Sequence, residues 1–201
     1  MALQLAEPPK VARNAVRKML AHPATPSAFR AAATQRAPAH ELAMSTPHRV
    51  AVLPLRRIGP ETTLRADAQM RGWRFLVHHG NRVVATADTV VDRRGQHAFG
   101  HLNQGPFVRG TEQAIRHAEA CPAARRQDFE PILLMVPTLY VMALWLRDSA
   151  GDRDRVVIIP HAPGARASYR VLTERAFVAR LVRLAAQRRT ARRRPRAARR
   201  R

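Results

Sequence analysis

Apolar residues crowd most densely between positions 132 and 146, where only Pro137 and Thr138 interrupt them. That run has 15 residues, and a membrane-spanning helix needs roughly 20. Arg125, Arg126, Asp128 and Glu130 precede it, and Arg147 and Asp148 close it. A membrane span is therefore not expected. Val136, Tyr140, Val141 and Trp145 suit a strand, and Pro137 lacks the backbone donor that a helix interior needs. A buried helix, favoured by Leu133, Leu134 and Met135, is the alternative. After a polar stretch over 148–154, Val156, Val157, Ile158 and Ile159 make the clearest short strand of the chain. The pattern predicts an antiparallel hairpin, with 138–147 paired to 155–160. Along its first strand Leu139, Val141, Ala143 and Trp145 point one way, and Tyr140, Met142, Leu144 and Leu146 the other. A sheet with one wet face alternates apolar and polar residues. This hairpin does not, so it needs cover on both sides.

The second pattern lies at 73–91. Trp73, Phe75 and Val77 alternate with polar or smaller residues, Gly80-Asn81 follows, and a second β-prone run begins at Arg82. Two such runs joined by Gly-Asn predict a hairpin. Asp92-Arg93-Arg94-Gly95 reads as a turn and 96–102 as a third strand. Upstream, 50–55 reads as a short edge segment limited by Pro54, and 62–70 as a weak helix. Three further helices are expected. The first, 8–20, sets Val11, Ala12, Val16 and Leu20 against Lys10, Arg13, Arg17 and Lys18, a basic amphipathic helix. The second, 112–120, starts at a Thr111 cap. The third, 174–188, starts at Thr173 and carries Phe177, Val178, Leu181, Leu184 and Ala185 as its stripe. The fold class expected is α+β: a mostly antiparallel sheet of four or five strands with two or three helices, in the order ββ(β)αββα. No internal repeat is legible.

The Pro- and Ala-rich stretch 21–47 cannot bury enough surface to offset chain entropy. It reads as a disordered linker, with order beginning near Met44. The organisation predicted is a basic helix at 1–20, that linker, one α+β domain at 48–188 and a disordered Arg-rich tail at 189–201.

Charge sharpens this division. The formal net charge is +22. Residues 1–40 contribute +5, residues 41–174 another +5, and residues 175–201 carry 12 Arg and no acid. Lys10 and Lys18 are the only lysines, and GC-rich coding would produce the same Arg-for-Lys bias. The tail has a consequence that does not depend on its origin. Arg188, Arg189, Arg192, Arg193, Arg194, Arg196, Arg199, Arg200 and Arg201 must attract polyanions at low salt. No aromatic residue interleaves them, so base stacking within the tail is absent and the binding expected is blind to sequence.

Motifs that name a reaction are missing. Cys121 is the only cysteine, so no intramolecular disulfide and no Cys-based zinc cage is available. Its neighbours match no nucleophile signature, and a lone Cys at a helix end is usually a small apolar residue. His97 and His101 lie four apart on an expected strand, roughly 13 Å from each other and too far to share one metal. Ser149 and Ser168 lack a nucleophile elbow, and the glycines have no phosphate-loop or dinucleotide spacing. Asp148, Asp152 and Asp154 alternate with Arg147, Arg153 and Arg155, which reads as a solvated loop. No metal and no cofactor is expected. Without a leader-like segment, and with one thiol, the location expected is cytoplasmic.

The function expected is a small interaction module, leaning away from enzymes, whose tail contacts nucleic acid or another polyanion. Self-association through the central hairpin is the partner expectation. One alternative is an enzyme with a His/Cys site beside the sheet, marked by a cluster of His79, His101 and His161. Another is a membrane-surface protein using the helix at 8–20.

Overall fold

The computed structural model describes residues 3–22, 42–121, 128–151, 153–160 and 169–193. Most of the linker, part of the tail (Arg194, Arg196, Arg199, Arg200 and Arg201) and His161 lie outside them.

One eight-stranded mixed sheet runs through the molecule in the order β4-β3-β2-β1-β5-β6-β7-β8. Its strands are β1 (Leu42–Val52), β2 (Gln69–His79), β3 (Arg82–Val91), β4 (His97–Asn103), β5 (Phe129–Val136), β6 (Val141–Asp148), β7 (Arg155–Ile159) and β8 (Val171–Thr173). The helices are α1 (Lys10–Leu20), the single turn α2 (Leu64–Asp67), α3 (Pro106–Ala120) and α4 (Glu174–Arg193). Every neighbouring pair is antiparallel except β1·β5, which is parallel.

The expected sheet of four or five strands is thus too small. Three features hid the rest. Pro137 does not interrupt one long strand; it ends β5 and opens a 3-10 turn, Pro137–Leu139, so the apolar run supplies both β5 and β6. The 50–55 segment is the end of a central strand, not an edge. Pro54 falls just beyond β1, and the strand reaches back to Leu42, inside the stretch read as linker. β1 escaped notice because Ser45, Thr46, Pro47 and His48 break its alternation at a bulge, where Thr46 takes φ +48. β8 has only three residues.

Other elements shift less. β6 pairs with β7 from Met142↔Ile159 to Leu146↔Arg155, and β2 with β3 across Gly80, whose φ is +54. α3 begins at Pro106 rather than at Glu112. Gly105, at φ +98, ends the preceding loop, and Pro106 occupies the first helical position, where its missing N–H costs nothing. The weak helix at 62–70 shrinks to α2, and the chain turns into β2 at Gln69.

The two faces of the sheet are covered within the chain. On one, Ile132, Leu134, Ala143, Trp145 and Val156 pack against Phe177, Val178, Leu181 and Ala185 of α4. On the other, Leu133, Leu144, Leu146, Val157 and Ile159 pack against Ala114, Ile115 and Ala118 of α3. The cover that the central hairpin needs on both sides is supplied by α3 and α4. α1 covers the other half of the sheet, setting Ala12, Val16 and Leu20 on Trp73, Phe75, Val77, Ala85 and Ala87. Tyr140, expected on an inner face, is 70% exposed, because it belongs to the turn and not to β6.

A repeat of topology emerges. A helix followed by a four-stranded meander occurs twice: α1 with β1 to β4, then α3 with β5 to β8. The meanders run outward from the parallel β1·β5 seam in opposite directions. A half-turn about the strand direction therefore relates them and exchanges the faces. β1 and β5 each lead through a proline, Pro54 or Pro137, into a 3-10 turn.

Candidate functional site

The charged helices are positioned by strand pairing. Arg49 on β1 lies opposite Trp73 on β2 and beside Ile132 on β5. Residues paired in this way share a sheet face. Trp73 belongs to the cluster under α1 and Ile132 to the cluster under α4, so α1 and α4 lie on the same face. α3 lies on the opposite one, because Val50 and its partner Leu133 both pack with it.

This arrangement sorts charge. α1 carries Lys10, Arg13, Arg17 and Lys18 with no acid, and α4 carries seven Arg with Glu174 alone. α3 balances Arg109 and Arg116 against Glu112 and Glu119, and Arg116 already pairs with Glu112 at 2.5 Å. Lys10, Arg13, Arg17, Lys18, Arg175, Arg180, Arg183, Arg188 and Arg189 are exposed. Arg13 and Arg17 also line a groove of 690 Å³ with Leu20, Leu42, Met44 and Phe75.

The Arg residues expected to hold a polyanion divide. Arg188, Arg189, Arg192 and Arg193 continue α4, which runs past Arg188 to Arg193, the last described residue. Within 174–190 the last buried residue is Ala185, and residues 186–190 are exposed. Arg189 has a structural duty: its Nη2 donates to the carbonyls of Leu55 and Ile58 at 3.3 and 3.2 Å. The remaining five lie outside the described residues.

A second polar group, missed in the sequence, is buried on the α3 face. Arg74 Nε and Nη2 donate to the two carboxylate oxygens of Asp88 at 2.6 and 2.7 Å, and both residues are buried. Asn103 Nδ2 and His101 Nε2 also meet Asp88 Oδ2, each at 3.1 Å. His48 stands opposite Arg74 across the β1·β2 ladder. Its Nδ1 must be the protonated nitrogen, because it bonds the Thr46 carbonyl at 2.8 Å. Nε2 is buried without a partner. Burial, reinforced by the Arg74 charge, lowers the His48 pKa to about 4 against the partial support of the Thr46 carbonyl and Asp88. The alternation of polar residues on β2 and β3 was the available signal.

Two acids of the 148–154 loop are not solvated, although Ser149, Ala150, Gly151 and Arg153 between them are exposed. Asp148 and Asp154 are buried. Asp154 accepts from Trp145 Nε1, Arg65 Nη2 and the Asp148 N–H. Burial raises the Asp148 pKa, but the Ala150 N–H and the Arg153 guanidinium outweigh it and hold the carboxyl below its usual range. Both groups anchor the β6–β7 turn.

The histidines serve separate contacts. His78 meets Ser45, His101 meets Asp88, and His117 approaches the Tyr169 ring at 6.1 Å. Cys121 ends α3, half-buried against the apolar cluster of that face. Among the described residues no three His, Cys, Asp or Glu gather to hold a metal ion, and no helix is long and apolar enough to cross a membrane. No protein-family model, curated protein or solved structure matches the chain.

Proposed function

We propose that the protein is a binding module that holds nucleic acid through its backbone phosphates, on the sheet face carrying α1 and α4, without reading base sequence. One observation carries this reading: the two strongly basic helices share a face, while the charge-balanced α3 takes the other. A polyanion approaching that face meets guanidinium groups from both ends of the chain. Arg suits phosphate because its planar fork donates two parallel hydrogen bonds. Each phosphate neutralised releases counterions, so affinity must fall steeply with salt.

The test separates the faces. Replacing Arg175, Arg180, Arg183 and Arg188 with Gln should weaken binding to a random-sequence oligonucleotide. It should also lower the steepness of log affinity against log salt by about 3. Replacing Arg109 and Arg116 on α3 should change neither. Equal loss from both variants would mean that net charge, and not this face, governs binding. Binding indifferent to salt would overturn the reading.

A further inference from the structure

We infer that the nucleic acid held is single-stranded, and that Tyr140 is the platform on which one of its bases stacks. This rests on the phosphate-binding reading and adds an aromatic contact to it.

β1 and β5 are parallel and finish at the same end of the sheet, where Leu53 N–H donates to the Met135 carbonyl at 2.9 Å. Beyond that point stand the 3-10 turns Leu55–Arg57 and Pro137–Leu139. α4 runs toward this end. It starts beside the beginning of β7, where Glu174 N–H meets the Asp154 carbonyl, and by Arg189 it has reached the carbonyls of Leu55 and Ile58. The exposed Arg188 and Arg56 are therefore brought to the end of the sheet that carries Tyr140.

Tyr140 is held for display. Its N–H bonds the Pro137 carbonyl at 3.1 Å, and its neighbours Leu139 and Val141 pack into the core beneath α4. The backbone is thus fixed while the ring is 70% exposed. Among the described residues, the other exposed large apolar side chains are 41% to 53% exposed, and none is aromatic. The residue also takes φ +53, a left-handed conformation that Gly or Asn adopts more easily. A bulky aromatic kept at a strained, exposed position points to use of its ring. A flat ring at the same end of the sheet as exposed guanidinium groups is the combination that holds unpaired bases. A duplex hides its base faces and offers that ring little.

The experiment compares two oligomers of about 12 nucleotides, oligo(dT) and an abasic strand of equal charge, binding to the full chain at low salt by fluorescence anisotropy. Oligo(dT) should bind roughly tenfold more tightly. Tyr140→Gly, which suits the backbone, should erase that preference and leave abasic binding unchanged. Tyr140→Phe should keep it. Equal binding of both oligomers by the native protein overturns the stacking inference and leaves the phosphate reading standing. So does a preference that survives Tyr140→Gly, which would place stacking elsewhere. Failure to bind either oligomer would instead defeat the phosphate reading itself.

Discussion

At the scale of single residues, the α3 face joins an apolar half to a polar one. Arg74 and Asp88 form a bidentate pair in the polar half, with Asn103 and His101 on the same carboxylate. Removing one member leaves the other charged and buried, which costs roughly 3–5 kcal/mol. Arg74→Met should therefore destabilise by that order in denaturant titration. The double change with Asp88→Leu should recover part of it, because no buried charge is then left alone. His48 adds a pH dependence. Its pKa is about 4 in the folded chain against 6.5 in the unfolded one, so below pH 6.5 the unfolded state takes up the proton first. Stability should fall from pH 6.5 down to about 4 and then level for this group, by roughly 3 kcal/mol. Asp148 acts in the same direction at lower pH, since its lowered pKa stabilises the fold only while the carboxyl is ionised. His48→Asn keeps a donor for the Thr46 carbonyl and should flatten the upper part of the profile. A native profile flat from pH 6.5 to 4 would contradict the burial assigned to His48.

At the scale of elements, close approach of backbones sets the registers. A Cβ at Gly72 would stand 1.9 Å from the Thr89 carbonyl oxygen, whereas one at Gly59 meets nothing within 4 Å. Neither glycine has a positive φ, so the contrast is purely steric. Gly72→Ala should cost about 3 kcal/mol or more by forcing β2 from β3, and Gly59→Ala should stay within about 0.5 kcal/mol. Thermal unfolding of the two variants measures the difference. The same elements show what the sequence could reveal. Alternation and a Gly-Asn turn made β2 and β3 legible, continuous apolar runs did so for the β6·β7 pair, and the period of Phe177, Val178, Leu181 and Ala185 for α4. Composition misled at β1, where Ser45-Thr46-Pro47 resembles a linker, because the bulge that accommodates those residues is a tertiary feature. Of the candidate site, the Arg content was legible. Its sharing of one face with α1 was not, since that depends on the β1·β5 pairing across 83 residues from Arg49 to Ile132. Tyr140 was read by strict alternation onto an inner face, and the turn at Pro137 removed it from the strand.

At the scale of the whole molecule, the two helix-and-meander halves are joined, not merely adjacent. β1 sends Val50 into the α3 cluster and Ala51 into the α4 cluster, where Leu53 joins it just past the strand end. α3 follows the first meander in sequence yet packs on the second, with Gly110 so close to β7 that an added Cβ would lie 2.8 Å from the Ile159 side chain. Each half therefore completes the core of the other, and separating them would expose apolar surface on both faces of the seam. Such sharing favours one cooperative transition. The two tryptophans report on it separately, Trp73 in the first half and Trp145 in the second, both buried. Their fluorescence should change at one common denaturant midpoint when each is followed in a variant with the other replaced by Phe. Fragments 1–121 and 128–201 should each lack a cooperative transition alone and regain one when mixed, because β5 has β6 on one edge within its own fragment and finds its other sheet neighbour only on β1. Two separate midpoints, or a fragment that unfolds cooperatively by itself, would show that the seam joins two independent lobes and that the basic face is assembled from parts free to move apart.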